Sequence, residues 1–357
     1  MSGTAFVELI DPRPGEEVET ARLEPYLRAR LPRTEGSFSW RQFGGGHANL
    51  TYLVRFGDSD YVLRRPPLGP IAPSSHDMKR EHRVLAALPD IFPLAPRSYL
   101  YCEDAGIIGA EFHVMERRRG IVVRGDLPER FRDDPAVARR ITEMLIDTLA
   151  AFHKADPDAA GLGSLGHPEG YAARQLEGWA KRWQAAKDKE LPRVDALIAW
   201  LVARIPPPPA VSLLHNDFKL DNMLVGADDP GRPVAVLDWD MCTRGDPLMD
   251  LGYLLNLWAQ GDDDPEWLQW GAMPTWRPGS LTRAEAVERY ARATGFGLEH
   301  VDWYHVFGLF KMIVIIQQIY IRYLRGQTKD ERFAIFGGRV QAFAEKGHTL
   351  IARSGRA

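Results

Sequence analysis

The feature that most constrains this chain is a strand-loop-strand block past its midpoint. Residues 213–225 read Leu-Leu-His215-Asn-Asp217-Phe-Lys219-Leu-Asp-Asn222-Met-Leu-Val, and residues 234–240 read Val-Ala-Val-Leu-Asp238-Trp-Asp240. Short apolar runs rich in Val and Leu read as buried strands. The first delivers His215 and Asp217 at its end, a loop presents Asn222 five residues on, and a second strand ends in Asp238 sixteen residues later. One carboxylate can then face a substrate hydroxyl while an amide oxygen and a second carboxylate hold a hard cation. Mg²⁺ prefers oxygen ligands of this kind.

The rest of the chain divides in two. A short helix is predicted over Glu19–Leu31, with Leu23, Tyr26, Leu27 and Leu31 on one face. Ser37–Phe43, Leu50–Phe56, Tyr61–Arg65, Arg97–Cys102 and Ile107–Met115 read as five strands. Pro66, Pro67, Gly69, Pro70 and Pro73 enforce a loop, after which a helix is expected from Ser75 to Leu88, capped by Ser74 or Ser75. Beyond Arg119 helical periodicity takes over in Ala136–His153, Tyr171–Lys187 and Pro192–Ile205, the last stopped by the prolines at 206–209. After the central block it resumes through Pro247–Gln260, Thr282–Thr294, Val301–Leu324 and Lys329–Ile351. The expected organisation is an α+β chain with a small five-stranded antiparallel lobe and one main helix over residues 1–116, then a large helical lobe over 117–357.

Composition limits the remaining classes. At about 150 residues per domain, 357 residues make roughly two folding units. With 45 Lys and Arg against 48 Asp and Glu, the net charge of -3 excludes the basic footprint of a dedicated nucleic-acid binder. Cys102 and Cys242 alone build neither a disulfide framework nor a multi-cysteine zinc site, which fits a cytoplasmic location. Met1–Glu16 carries no secretion signal, and Lys311, Gln317, Gln318 and Arg322 interrupt the apolar run Val306–Leu324, so a buried core helix is expected there instead of a membrane span.

The central block resembles the H-x-D-x-x-x-x-N catalytic loop and metal-binding Asp of the protein-kinase-like superfamily. Asp238-Trp239-Asp240 and the Gly-Asp-Pro-x-x-Asp-Leu run over Gly245–Leu251 are similar to the aminoglycoside phosphotransferase and choline kinase-like branch. Within it the likeness is to the kinase-like domains that occur fused to acyl-CoA dehydrogenases. It covers roughly residues 20–350. The resemblance implies a bilobal fold, ATP or GTP with Mg²⁺, Asp217 as catalytic base, Asn222 and Asp238 as metal ligands, and Lys219 neutralising the transferred phosphoryl. His215 is expected to be a buried residue that holds the loop. Asp240 is read as either a second metal contact or a support of the loop, and Asp250 as a brace.

In the small lobe, Gly44, Gly45 and Gly46 lie between two predicted strands. Consecutive glycines let backbone N–H groups approach phosphate, although taken alone the run is only a hairpin with a glycine turn. The resemblance favours the first reading, with Ala48 standing where relatives often carry serine. Arg64 takes the place of the phosphate-binding lysine, Glu81 is its helix partner, and Met115 and Glu116 lie where adenine meets backbone atoms. The basic run Arg117–Arg119 reads as solvated surface, and the tryptophans at 258, 267, 270, 276 and 303 read mainly as core. Gly161–Gly166 matches G-x-G-x-x-G but follows a helix and opens none, so it reads as a loop.

The expected function is transfer of a γ-phosphoryl group to the hydroxyl of a small molecule. Only seven positions separate Asp238 from Gly245, too few for the activation segment of a protein kinase. The alternatives are an antibiotic phosphotransferase and a non-catalytic nucleotide-binding pseudokinase. A metal hydrolase built on His215 and Asp217 lacks a second histidine at ligand spacing.

Overall fold

The computed structural model describes residues 9–45, 49–69, 77–268, 273–328 and 330–355. Gly46, Ala48, Pro70, Pro73, Ser74, Ser75, Trp270 and Lys329 lie outside these residues, as does the Glu266 side chain.

Residues with alternating apolar side chains form a sheet whose two faces are both buried. Its strands are β1 (Leu9–Ile10), β2 (Phe38–Phe43), β3 (Leu50–Phe56), β4 (Ser59–Arg65), β5 (Ser98–Cys102) and β6 (Phe112–Glu116). All neighbours are antiparallel, in the order β1-β2-β3-β4-β6-β5. Among the described residues the sheet therefore has six strands, not the five expected, because β1 is a two-residue edge too short to show periodicity. The last expected strand is also shorter, since residues 105–110 turn before Phe112.

Tyr52, Val54, Phe56, Tyr61, Leu63 and Val114 share one face with Leu23 and Leu27 of α1 (Thr20–Arg28). Leu53, Val62 and Met115 take the other face and join the main core. By the two-residue period Arg64 falls on the Val62 face and Arg65 on the opposite one. Arg65 Nη1 accordingly donates to Ile108 O at 2.8 Å, far from the site described below.

Helix α2 (Met78–Ala87) begins later than expected, because the Asp77 carboxylate caps it by accepting the Arg80 N–H at 2.8 Å. Met78, Glu81, Val84 and Leu85 form its buried face, at helical spacing. The helix packs on β5 and β6.

The chain then becomes helical through α3 (Pro135–Lys154), α4 (Tyr171–Ala186) and α5 (Pro192–Val202). Two antiparallel ribbons follow: β7 (Ser212–Leu214) pairs with β10 (Thr243–Gly245), and β8 (Met223–Val225) pairs with β9 (Pro233–Val236). The remaining helices are α6 (Leu248–Leu257), α7 (Pro265–Leu268), α8 (Arg283–Thr294), α9 (Val301–Leu324) and α10 (Phe336–Arg353). The short α7 was not anticipated, and α10 starts at Phe336, after a 3₁₀ turn at Glu331–Phe333. Helix α9 is the one helix among the described residues long and apolar enough, by length and composition, to cross a membrane. It packs against α4, α5, α6 and α10, with Phe307, Phe310, Ile313 and Val314 in the core. The loop containing Gly161–Gly166 joins α3 to α4, as its lack of a preceding strand predicts.

The sheet and helices meet at residues 117–121. Gly120 is required there, because a Cβ at this position would stand 2.6 Å from Val225 O. That close approach lets Ile121 and Val225 exchange two backbone hydrogen bonds of 2.9 Å, stitching the crossing to β8.

Candidate active site

The two ribbons bring the motif together. Register Met223↔Val236 places Asn222 against Leu237, and Leu237 N–H donates to Asn222 O at 2.7 Å. Asn222 and Asp238 thereby become neighbours despite sixteen residues of separation. Trp239, 1% exposed, plugs the space behind them against Phe92, Phe152 and His215.

The loop after β7 is fixed by buried polar groups. His215 is fully buried; its Nδ1 accepts the Asp217 N–H at 3.3 Å, so Nε2 carries the proton and donates to Leu237 O at 2.9 Å. This is the loop-holding role expected of it. Asp250 accepts the His215 N–H at 2.7 Å and the Asn216 N–H at 2.8 Å, as a brace should. Burial works to raise the Asp250 carboxyl, but the hydrogen bond and charge of His153 override it and hold it below the usual range.

Asn216 sits in the left-handed region at φ 65°, a conformation asparagine tolerates. All of its polar groups are engaged: besides Asp250, its carbonyl accepts from Lys311 at 2.8 Å, Oδ1 from the Tyr171 hydroxyl at 2.9 Å, and Nδ2 donates to Met241 O at 2.9 Å. Sequence reasoning passed over Asn216 and took Lys311 only as an interruption of an apolar helix. A polar residue wedged between His215 and Asp217, where the chain must turn sharply, was the available signal.

Asp217 is flanked by Lys219, whose ammonium lies 3.0 and 2.8 Å from its two oxygens. Asn222 Nδ2 donates to Asp217 O and Oδ2, both at 2.9 Å. With its nitrogen so occupied, Asn222 presents Oδ1 as an acceptor.

From the sheet, Arg64 reaches both lobes. Its guanidinium is ion-paired to Glu81 of α2 and to Asp238. Glu81 is fully buried, and its second oxygen lies 3.3 Å from His113 Nε2. Burial alone would raise the Glu81 carboxyl; Arg64 foremost, and His113 after it, hold it low instead.

These residues edge a cavity of about 660 Å³ between the sheet and the ribbons. Gly44, Gly45, Arg64, Glu81, Met115, Glu116, Asn222 and Asp238 all line it. Asp217 and Lys219 are not among its lining residues, although Asp217 is bonded to Asn222, and Gly46 lies outside the described residues. Arg117–Arg119 also line the cavity; Arg117, with a side chain 19% exposed, departs from its reading as solvated surface, whereas Arg119, 71% exposed, keeps it. Arg117 and Arg119 converge on Asp60, 2.5 and 2.7 Å away, because that carboxylate is buried at the end of β4 and draws cations.

The donor set fits a hard divalent cation. Burial first, and Asp238 second, push the Asp240 carboxyl up to about 7, a crowding of negative charge that a cation relieves. Among the described residues no group of three His, Cys, Asp or Glu side chains is arranged to chelate a metal. A cation held by Asn222 and Asp238 would therefore need oxygens from a ligand, as Mg²⁺ takes from nucleotide phosphates.

The pattern described as the phosphotransferase enzyme family, APH, matches residues 39–304. Acyl-CoA dehydrogenase family member 11 of Gallus gallus is 34% identical over 349 residues, 93% of this chain and 43% of that protein. Acyl-CoA dehydrogenase family member 10 of Mus musculus is 30% identical over 335 residues, 93% of this chain and 31% of that protein. The chain thus spans less than half the length of these relatives.

Among solved structures, a Ralstonia eutropha protein provisionally assigned as an aminoglycoside phosphotransferase has a TM-score of 0.82 at 29% identity, covering 94% of this chain and 99% of that one. Choline kinase from Cryptosporidium parvum gives 0.63 at 10% identity, covering 95% and 98%. An aminoglycoside phosphotransferase in ternary complex with AMP-PNP and hygromycin B gives 0.56 at 19%, covering 93% and 98%. The last two speak for the fold alone, which is the protein-kinase-like α+β fold that the motifs implied.

Proposed function

The chain belongs to the phosphotransferase enzyme family, and we propose that it is a small-molecule kinase transferring the γ-phosphoryl of ATP, or GTP, to a metabolite hydroxyl. The observation that carries this reading is the cluster around Asn222. Asn222 and Asp238 line the cavity, and Asn222 Nδ2 also donates to Asp217 Oδ2 at 2.9 Å. Nucleotide in the cavity and acceptor hydroxyl would meet at the Asp217 carboxylate.

In this reading Asp217 orients the acceptor hydroxyl and accepts its proton as the new P–O bond forms and the bond from the γ-phosphorus to the β–γ bridging oxygen breaks, releasing the nucleoside diphosphate. Lys219 limits repulsion between that carboxylate and the phosphoryl group. Gly44 and Gly45 present backbone to phosphate, and Met115 and Glu116 border the base. Arg64 would grip phosphate, and Asn222 and Asp238 would hold Mg²⁺, which when bound would neutralise phosphate charge. Asp238→Ala should abolish the Mg²⁺ dependence of nucleotide binding, and Asn222→Ala should weaken it. Calorimetry with and without metal decides; an unchanged metal response in both variants means the cation is held elsewhere.

The acceptor is read as a hydroxylated metabolite, neutral or anionic, and not a polycationic antibiotic. Lys311 lies 4.2 Å over Tyr253, and Arg182 lies 4.6 Å over Trp179, which Lys311 also approaches at 5.8 Å. In this reading Lys219 and Arg182 give the acceptor side cations beside aromatic surface, while burial foremost pushes the Lys311 ammonium below its usual value. Of the acidic run at 262–264, Asp263 is neutralised by Arg283 and Lys346, leaving little to bind several ammonium groups. The likeness to proteins named acyl-CoA dehydrogenase family members supports a hydroxyacyl compound. Aminoglycosides, choline-like amines and hydroxyacyl compounds should be assayed at matched concentrations. The expected product is a phosphorylated hydroxyacyl compound; kanamycin-type phosphorylation with none of the hydroxyacyl panel restores the antibiotic-kinase reading.

A further inference from the structure

We propose that His113 is a positioning residue for the phosphate grip: it holds the Glu81 carboxylate by its second oxygen and so keeps the Arg64 guanidinium aimed into the cavity. The inference rests on the nucleotide reading above. In the sheet, His113 of β6 stands directly across from Arg64 of β4. Residues directly opposite share a face, and both side chains reach the buried Glu81 of α2. Arg64 pairs with Oε1 while His113 Nε2 lies 3.3 Å from Oε2, so the carboxylate is bracketed, one oxygen to each neighbour.

Packing alone does not call for a histidine here. Phe112, Val114 and Met115, its neighbours in β6, are buried and apolar, and an imidazole among them costs more than a hydrocarbon side chain unless its nitrogens find partners. Both face one. Nδ1 lies 3.2 Å from Ser98 Oγ, which in turn lies 2.9 Å from His82 Nδ1. Facing a carboxylate, Nε2 carries the proton, which leaves Nδ1 to accept from the Ser98 hydroxyl. That hydroxyl has one proton, so its 3.3 Å approach to Val114 O goes unused and His82 Nδ1–H donates to the serine oxygen. Donors therefore run inward from half-buried His82, whose ring stacks on Tyr101, through Ser98 and His113 toward Glu81. The chain fixes the His113 tautomer with its N–H toward the carboxylate.

The last link is the adjustable one. The 3.3 Å approach of Nε2 to Oε2 is off the hydrogen-bond axis, which makes it an electrostatic contact and not a formed hydrogen bond. Burial works to raise the Glu81 carboxyl, and His113 assists Arg64 in keeping it ionised. Arg64 is drawn toward Asp238 as well. Glu81 is the anchor against that pull, and a carboxylate fixed through one oxygen alone can turn about its end.

The test is calorimetric binding of Mg²⁺ with ATP, and of adenosine, to the wild-type chain, His113→Leu, His113→Gln and Ser98→Ala, each with and without Glu81→Gln, with folding checked by circular dichroism. His113→Leu should weaken ATP about tenfold, the lower end of what removing an orienting outer group costs. Adenosine offers Arg64 no phosphate, so its binding should not change. His113→Gln, whose amide can still donate to Oε2, should recover most of the ATP affinity, and Ser98→Ala should weaken ATP less than His113→Leu does. In the Glu81→Gln background none of these changes should move ATP affinity further, because His113 acts through the carboxylate. If His113→Leu does not fold, Ser98→Ala with and without Glu81→Gln decides, and unchanged ATP affinity there overturns the proposal. Wild-type ATP affinity in folded His113→Leu, an equal loss of adenosine binding, or a loss of the same size in the Glu81→Gln chain also overturns it and leaves the nucleotide reading standing. No ATP binding by the wild type overturns the nucleotide reading and this proposal with it.

Discussion

Asp217→Asn is expected to bind nucleotide as the wild type does while turnover falls by a factor on the order of 10² to 10⁴, the range for a positioned proton acceptor. The substitution keeps shape and one acceptor oxygen but removes the charge that Lys219 and Asn222 now surround. Asp217 is not among the residues that line the cavity, and the near-isosteric change keeps the bond to Asn222 Nδ2 available, so nucleotide affinity is expected to hold. Single-turnover kinetics isolates the chemical step. Equal rates in mutant and wild type under chemistry-limited conditions would remove Asp217 from the mechanism.

Arg64→Ala should be the most damaging change in the small lobe, through both stability and activity. It strands Glu81, a fully buried carboxylate, with His113 as its remaining ion-pair partner. Breaking a buried pair by removing one member costs about 3–5 kcal/mol.

The pH dependence carries a sign. In the wild type the Glu81 carboxyl is held low, so its stabilisation is full above the unfolded value and is lost as pH falls through the lowered folded one. Without Arg64, burial raises Glu81, so the variant should regain stability relative to wild type as pH falls toward 5. Denaturant midpoints across pH measure this. Glu81→Gln in the Arg64→Ala background should restore stability but not turnover, whereas Arg64→Lys should keep some of both. Normal ATP binding and turnover by a folded Arg64→Ala variant would mean that another residue grips the phosphates. Arg65 is a poor substitute, since it faces Ile108 across the sheet.

Most of the architecture was legible because its signals are local. The period of two in β3 and β4, the helical spacing in α3, α4 and α9, and the strand-loop-strand spacing around Asp217 each lie within one segment. The region where Arg64, Glu81, Asn222 and Asp238 converge was legible through the motif, whose parts have meaning only as a set. What escaped depends on tertiary contact. β1 exists only because β2 offers an edge. The start of α2 was set by Asp77, against the propensity of two earlier serines. Arg117 read as surface because nothing in its own segment reveals Asp60, more than fifty residues earlier in the chain. Lys311 reads as an interruption of an apolar helix, and only the fold shows that it caps the Asn216 carbonyl beside the proposed base.

The central claim is phosphoryl transfer to a small-molecule hydroxyl, and following the label from γ-³²P-ATP tests it most directly. Purified protein is incubated with Mg²⁺ and a panel of hydroxylated metabolites, and label in organic phosphate is separated from free phosphate. The account predicts label in an organic acceptor, dependent on Mg²⁺ and lost in Asp217→Asn. Nucleotide binding with no label transferred to any acceptor, at any metal concentration, would contradict it and leave the chain as a non-catalytic nucleotide-binding protein.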